Sequence, residues 1–294
     1  MTSPIEQLNQ QFGIERRLRL TPGHGGLPRA IVTAPGGTGE VYLHGGHITA
    51  WQPTGYEPVI WMSREAVFAE GKAIRGGVPV CFPWFGPKAD DPDAPAHGLV
   101  RTQAWQLAHS SADDKTVTLA LRTTIDGWAV TLTAMFGPSL TMTLAFTNTG
   151  ASPATAEAAL HTYFAVGDVR QAHISGLEHA DYLDKVEGGK TMNQGEESIR
   201  FAGETDRVYL NTDAPCDLHD PVLRRRITVG KTGSRATVVW NPWIDKSARL
   251  ADFGDDEWGR MCCIETAAVG EYAITLDPGA THELTATINV ERVM

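Results

Sequence analysis

The chain has 294 residues, 42% of them hydrophobic, and a mean hydropathy of −0.20, values that indicate a soluble globular protein with a sizeable core. Its formal net charge of −10 disfavours nucleic acids and anionic membranes as partners, because both attract basic surfaces, although a local arginine cluster could still hold a phosphorylated small molecule. No secretory signal opens the sequence and no apolar run is long enough to cross a bilayer, so we expect a cytoplasmic protein. Four cysteines without a CxxC pair are typical of buried thiols in a reducing compartment, and they are Cys81, Cys216, Cys262 and Cys263.

A short amphipathic helix or arm is predicted within residues 1–13, where Ile5, Leu8 and Phe12 fall at helical spacing. Beyond it, apolar and polar residues alternate with period two, as in half-buried antiparallel strands. The clearest alternating segments are 117–121, 130–136, 141–147 and 284–290. Turn residues separate these segments and no helix alternates with them, which disfavours a parallel sheet. The sequence therefore predicts an all-β antiparallel sandwich that forms a single domain over residues 1–294.

A cationic segment, Ile74-Arg75-Gly76-Gly77-Val78-Pro79, places an always-charged guanidinium beside two glycines, so an anion could approach the backbone closely. The following residues, 80–87, combine proline, glycine and aromatic rings and cannot form a regular central strand. They favour a rigid wall of flat rings on which a sugar could stack. Trp84 and Phe85 are the candidate stacking residues in this wall, and Trp243 is a third candidate further along the chain.

A second imidazole and a second guanidinium occur in His97-Gly98-Leu99-Val100-Arg101. Each arginine alone is commonly a surface ion pair. Two arginines in glycine-rich loops could instead hold a phosphate in a bidentate manner, with about 1.5–3 kcal/mol from each hydrogen bond to a charged group.

Two further residues are candidates for proton transfer. The alternation over 155–164 predicts a strand whose even residues face the core and whose odd residues, His161 among them, face solvent or a cleft. A structural, hydrogen-bonded histidine is the alternative for His161. Glu265 interrupts a run of small and apolar residues, so it is either a core carboxylate with a hidden partner or a general base whose pKa is raised by burial.

Motifs for other chemistries are missing from the sequence. His44 and His47 flank a Gly-Gly turn, but no HExxH or CxxC accompanies them, so we expect no metal. There is no GxSxG elbow, no P-loop lysine and no GxGxxG that opens a helix after a strand, so we expect no cofactor.

The segments at 74–87, 97–101, 159–164, 205–209, 240–243 and 262–267 together resemble the glucose-6-phosphate 1-epimerase (hexose-6-phosphate mutarotase) branch of the aldose 1-epimerase family. This resemblance implies a galactose mutarotase-like β-supersandwich and an isomerase that interconverts the α and β anomers of a hexose 6-phosphate without a cofactor. It implies that His161 is the general acid and Glu265 the general base. It further implies substrate-binding residues, which are Arg75 and Arg101 for the sugar and its phosphate, Asp206 for sugar hydroxyls, and His97 beside the site.

Two alternatives accompany this prediction. A mutarotase for an unphosphorylated aldose would use the same His161 and Glu265 and keep the two arginines as structural residues. A non-catalytic carbohydrate-binding β-sandwich would use Trp84, Phe85 and Trp243 as a platform, but it would have no need of a buried base. We expect a monomer whose partner is a small sugar phosphate.

Overall fold

A computed structural model describes residues 2–293, so the two ends of the predicted domain, Met1 and Met294, lie outside the described residues. The helices are α1 (Pro4–Phe12) and α2 (Trp243–Ser247), with short 3₁₀ helices at His24–Gly26, Val100–Thr102, Glu257–Arg260 and Gly270–Tyr272. The strands in chain order are β1 (Leu18–Pro22), β2 (Pro28–Ala34), β3 (Gly37–Tyr42), β4 (His47–Pro53), β5 (Val80–Cys81), β6 (Gln106–Ala112), β7 (Val117–Ile125), β8 (Trp128–Phe136), β9 (Leu140–Asn148), β10 (Ala154–Ala156), β11 (Ala158–Leu160), β12 (Tyr163–Ala165), β13 (His173–Ser175), β14 (Asp181–Asp184), β15 (Lys190–Asn193), β16 (Ile199–Arg200), β17 (Thr205–Leu210), β18 (Cys216–Asp220), β19 (Arg225–Thr232), β20 (Ala236–Asn241), β21 (Met261–Ala268), β22 (Ile274–Leu276) and β23 (Thr281–Arg292).

Helix α1 is the short helix that the apolar spacing predicts. Ser3 caps it, because the Ser3 hydroxyl accepts from the backbone N–H of Glu6 while the Glu6 carboxylate accepts from the N–H of Ser3. Pro4 occupies the first turn, where its missing N–H costs no hydrogen bond, and Phe12 is buried at the other end.

The strands form two large sheets and two smaller ones, and the named strands pair antiparallel throughout the described residues. A nine-stranded sheet has the order β16-β13-β18-β19-β23-β9-β8-β7-β6. An eight-stranded sheet has the order β15-β14-β17-β20-β21-β11-β5, with β12 also paired to β21. Strands β1–β4 form a four-stranded sheet, and β10 pairs with β22. The predicted all-β antiparallel fold is therefore confirmed.

Alternation along the long strands gives each of them one apolar face and one polar face. In β9, Met142, Leu144 and Phe146 are buried, while the threonines between them point to the other face. Thr143 there lies 2.9 Å from Thr285 of β23, hydroxyl to hydroxyl.

One continuous apolar core unites the sheets as a single domain. It includes Trp51 of the four-stranded sheet, Phe146 of the nine-stranded sheet and Ile264 of the eight-stranded sheet. Its aromatic rings pack edge to face where Phe82 meets Trp128, with ring centroids 5.4 Å apart. All four cysteines are free and buried, and none of the helices of residues 2–293 has the length and apolar character of a membrane span.

The prediction of one regular strand over 155–164 is wrong. This segment forms β10, β11 and β12, with breaks at Glu157 and at His161–Thr162. Both faces of its central part are buried, since Ala159 on the odd side is as inaccessible as Leu160 on the even side. The reason is that one face packs on the core while the other lies beneath a cavity, rather than beneath open solvent.

Candidate active site

The register of the eight-stranded sheet places residues of three strands on one face. Strands β17 and β20 pair with Asp206 opposite Trp240, and β20 and β21 pair with Trp240 opposite Cys263. Glu265 lies two residues beyond Cys263 on β21, and side chains two residues apart in a strand share a face. A carboxylate from β17 and another from β21 thus border the same surface.

His161 reaches this face from the gap between β11 and β12. Strand β12 pairs with β21 so that Tyr163 is opposite Cys263, and β11 pairs with the later part of β21 in the same register. His161 is thereby brought opposite Glu265, and its Nε2 lies 3.3 Å from Glu265 Oε1. Two residues that are 104 positions apart in the sequence meet through a single strand pairing.

Burial shifts both members of this pair towards their neutral forms. The side chain of Glu265 is 1% exposed, and burial raises its pKa well above the usual range. Burial also lowers the pKa of His161 well below its usual value, and the nearby His97 and Arg75 act in the same direction. The imidazole stacks on the ring of Tyr163, with centroids 4.7 Å apart and planes 10° apart, so its orientation is fixed.

Arg75 is held beside the pair by two partners. Its Nε donates to Oδ1 of Asp252 at 3.1 Å, and its Nη1 donates to the hydroxyl of Tyr163 at 3.1 Å. Burial alone would lower the pKa of Arg75, but Tyr163 and Asp252 outweigh it and raise the pKa above its ordinary value. Tyr163 therefore contacts both the guanidinium and the imidazole of His161.

The two glycines after Arg75 have a different role from the predicted one. Gly76 and Gly77 are buried, with φ of 97° and 68°. A Cβ on Gly76 would lie 2.7 Å from the Cα of Met62, and one on Gly77 would lie 2.4 Å from Nε2 of His47. Close packing against neighbouring chain segments, rather than access for an anion, requires glycine here.

Arg101 extends from the 3₁₀ helix at Val100–Thr102 into the same cavity. Its Nη2 donates to the carbonyl of Ala96 at 2.7 Å, whereas its buried Nε has no hydrogen-bond partner among residues 2–293. His97 lies edge-on to His161, with ring centroids 5.6 Å apart. Burial, together with the charges of Arg101 and Arg75, lowers the pKa of His97 to about 3, so this ring is neutral at physiological pH.

Asp206 lies on the opposite side of the cavity with a lysine from α2. Lys246 Nζ is 2.7 Å from Oε1 of Glu204 and 3.5 Å from Oδ2 of Asp206. The ammonium also lies 5.9 Å from the centroid of the Trp240 ring. Burial raises the pKa of Asp206, and the charge of Lys246 opposes that shift.

The structure brings only one of the three candidate stacking residues to the cavity. Phe85 lines it, but Trp84 turns away to donate from its indole N–H to Pro95 O at 3.0 Å. Trp243 packs on Trp258, with centroids 4.5 Å apart. Trp240, the first tryptophan of the Trp-Asn-Pro-Trp segment, lines the cavity instead.

These residues line a single cavity of about 520 Å³. The predicted catalytic and binding residues all border it, and they are Arg75, His97, Arg101, His161, Asp206 and Glu265. Two larger cavities, of about 820 and 740 Å³, contain neither member of the His161–Glu265 pair. A proton-transfer pair, an open arginine donor and hydrogen-bonding side chains in one concave site suit acid–base chemistry on a small polar molecule.

Sequence reasoning missed four contributors to this site, Tyr163, Lys246, Asp252 and Trp240. Tyr163 and Trp240 lie inside segments that the sequence analysis singled out. Tyr163 is an odd residue of 155–164, on the predicted face of His161, and this position could have identified it. Asp252 and Lys246 gave no signal of their own, because each acts by pairing with a residue distant in the sequence.

Comparison with known proteins agrees with the geometry. A family profile described as aldose 1-epimerase matches residues 30–289. A protein of Escherichia coli K12 provisionally named glucose-6-phosphate 1-epimerase is 38% identical over 252 residues, which cover 83% of this chain and 84% of that protein. A protein of Cenchrus ciliaris with the same provisional name is 35% identical over 258 residues, with coverage of 82% and 77%.

Solved structures with the same fold are also known. A Salmonella typhimurium protein provisionally described as a mutarotase, YeaD, superposes with a TM-score of 0.89 at 30% identity and covers 96% of both chains. Galactose 1-epimerase from Lactobacillus acidophilus NCFM, at 13% identity and a TM-score of 0.73, shares the fold over 95% of this chain and 99% of its own. The predicted galactose mutarotase-like fold and the predicted enzyme class, an isomerase, are confirmed. This chain belongs to the aldose 1-epimerase family.

Proposed function

We propose that this protein interconverts the α and β anomers of a hexose 6-phosphate, with D-glucose 6-phosphate as its substrate. The observation that carries the proposal is the 3.3 Å contact between His161 Nε2 and Glu265 Oε1 in a cavity that Arg75 and Arg101 also line. The names of the relatives from Escherichia coli and Cenchrus ciliaris support the phosphorylated substrate.

The pair supplies both ends of the proton transfer that anomerisation needs. Glu265 removes the proton of the C1 hydroxyl while His161 delivers a proton to the ring oxygen, so that the C1–O5 bond breaks and an aldehyde forms. Rotation about C1–C2 exposes the other face of the aldehyde, and the ring closes again with the two roles reversed. Each positioned acid or base contributes about 10²–10⁴-fold to such a reaction.

The pKa directions suit a pair that shares one proton. Burial raises the pKa of Glu265 and lowers the pKa of His161, so it favours the pair with its one proton on the carboxyl. Transfer of that proton to His161 gives the carboxylate and imidazolium that ring opening requires. The total charge of the pair is the same before and after, so the buried site gains no net charge.

The proposed phosphate end lies at Arg75 and Arg101. Both arginines also line an adjoining cavity of about 350 Å³, together with Lys72 and Asp252. Three cationic side chains against one carboxylate give this region a formal charge of +2, which matches a phosphate dianion. This local charge has the opposite sign to the net charge of the whole chain, −10. The unpartnered Nε of Arg101 is a donor that a phosphate oxygen could satisfy.

The proposal is tested by following equilibration of freshly dissolved α-D-glucose 6-phosphate and α-D-glucose, by polarimetry or by exchange NMR. We expect catalysed equilibration of the phosphate and a much lower kcat/KM for glucose. We also expect His161→Ala and Glu265→Gln to abolish measurable catalysis while a thermal melt and circular dichroism show a folded protein.

His179→Ala is a matched control, because that imidazole lies in the neighbouring 740 Å³ cavity and not in this one. Near-normal rates in either the His161 or the Glu265 variant would refute the acid–base roles. Equal kcat/KM values for glucose and its 6-phosphate would instead favour the alternative, a mutarotase for unphosphorylated aldoses.

The proposal also includes the setting of the reaction. The free, buried state of the four cysteines supports a reducing compartment, and we place the enzyme in the cytoplasm as a monomer. Gel filtration over a range of protein concentrations tests the monomer.

A further inference from the structure

A soft metal ligand lies beside the proton-transfer pair. The thiol of Cys263, one ring nitrogen of His161 and one carboxylate oxygen of Glu265 lie within 4.8 Å of one another, and all three residues are buried. Cys263 and Glu265 share a face because they are two residues apart on β21, whereas Cys262 points to the opposite face, into the core. The proposed reaction makes no use of this thiol.

The spacing of these atoms suits a tetrahedral metal. Zinc–nitrogen and zinc–oxygen bonds of about 2.0–2.2 Å at a tetrahedral angle place the two ligand atoms about 3.3–3.5 Å apart. His161 Nε2 and Glu265 Oε1 are 3.3 Å apart without any metal. The sulfur lies within 4.8 Å of the other two ligand atoms, and its tetrahedral separation from them is about 3.6 Å, so it needs a movement of at most about 1 Å.

An unsatisfied carboxylate oxygen gives a second, independent indication of a ligand. Oε2 of Glu265 and Nδ1 of His161 are buried without a hydrogen-bond partner among the described residues. Buried polar atoms in proteins are normally paired, and an unpaired one calls for an explanation such as an unobserved ion. Oε2 of Glu265 can complete a bidentate carboxylate on a cation bound at Oε1, whereas Nδ1 of His161 lies across the ring from Nε2 and is not satisfied by that cation.

We propose that His161, Cys263 and Glu265 form an inhibitory site for a thiophilic divalent cation of the zinc or cadmium type. Binding replaces the proton of the thiol and that of the carboxyl, so a thiolate, a carboxylate and a neutral imidazole balance the two positive charges. The cation occupies the nitrogen and the oxygen that ring opening needs, so metal and sugar phosphate compete. The inhibitory consequence rests on the proposed function, whereas the binding itself does not.

The binding is tested with Cd²⁺ and the chelator-treated, desalted full-length protein, by following the ultraviolet charge-transfer absorption of a cadmium–thiolate bond. We expect this band to saturate at one equivalent in the wild type and to be absent from Cys263→Ser, a variant that keeps the size of the side chain. Cys262→Ser is the matched control, since its sulfur faces away from the site, and Cys216→Ser on β18 is a second control. Both controls should keep the band. A band of equal size in Cys263→Ser, or none in the wild type, would overturn the assignment.

A second measurement links the metal to the catalytic pair. We expect Zn²⁺ to inhibit equilibration of glucose 6-phosphate competitively, and its inhibition constant to rise about tenfold or more in Cys263→Ser, each variant being compared with its own metal-free rate. An unchanged inhibition constant would overturn the inhibitory role. A wild type that shows the cadmium band but does not equilibrate the sugar would refute the proposed function and leave the metal site standing.

Discussion

Replacement of Arg75 by alanine separates recognition of the phosphate from the chemistry at C1. Arg75 contacts Asp252 through Nε and Nη2 and Tyr163 through Nη1, at 3.1 Å each, and the second N–H of each terminal nitrogen is left for a phosphate oxygen. A hydrogen bond between charged groups contributes about 1.5–3 kcal/mol, which corresponds to about 10–150-fold in binding. We therefore expect Arg75→Ala to raise KM for glucose 6-phosphate by about 10–150-fold and to change KM for glucose by less than about threefold.

A second substitution, at Asp252, tests the same role of Arg75. In Arg75→Ala the Asp252 carboxylate loses its guanidinium and repels a phosphate, so the double variant Arg75→Ala/Asp252→Asn should recover part of the lost kcat/KM. Initial rates by exchange NMR with both sugars in all variants provide the measurement, with His179→Ala again as the control outside this cavity. An equal loss with glucose and its 6-phosphate would show that Arg75 positions Tyr163 and His161 rather than the phosphate.

Three further outcomes follow from burial and contacts. Glu265→Gln should raise Tm more at pH 8 than at pH 5. Because the raised pKa of Glu265 keeps a proton in the native state that the unfolded chain releases, wild-type stability falls as pH rises above the usual range of a carboxyl, and glutamine removes this loss. Equal gains in Tm at both pH values would contradict the raised pKa. Trp240→Ala should raise KM about 2–12-fold, from about 0.5–1.5 kcal/mol of ring contact, whereas Trp84→Ala and Trp243→Ala should change it little in the same assay. Arg225 and Asp220 form a buried ion pair in which Nε lies 3.7 Å from Oδ2. Arg225→Ala should lower the free energy of unfolding, measured in urea, by about 3–5 kcal/mol, because it leaves the buried carboxylate of Asp220 without its cation.

Period-two alternation predicted the fold well wherever strands pair over many residues. Strand β9 illustrates this, since Met142, Leu144 and Phe146 need one buried face and the threonines between them need the other. The segment around His161 was harder, because both of its faces are buried and the alternation no longer distinguishes core from cavity. The position of His161 follows from the pairing of β11 and β12 with β21, and the His161 N–H donates to the carbonyl of Pro79; local sequence reveals neither partner.

The limits of prediction for the site have the same physical origin. Glu265 was recognisable because burial of an ionisable side chain among small apolar residues costs free energy, so such a residue indicates a function. Asp252 was not, since its role arises only from a contact with Arg75, 177 positions away. The glycines beside Arg75 were misinterpreted because a positive φ serves close packing as readily as anion binding, and only the neighbours of the missing Cβ distinguish the two.

The proton-transfer pair and the two arginines proposed to bind phosphate lie in different kinds of structure. Glu265 lies in the middle of a buried strand, and the register of that strand with its neighbours fixes the position of His161. Arg75 and Arg101 lie outside the strands, in a loop and a 3₁₀ helix. Loops tolerate substitution better than paired strands do, because fewer backbone hydrogen bonds depend on them. Preference for a phosphorylated or an unphosphorylated sugar can therefore change through these two arginines while the proton-transfer pair stays as it is.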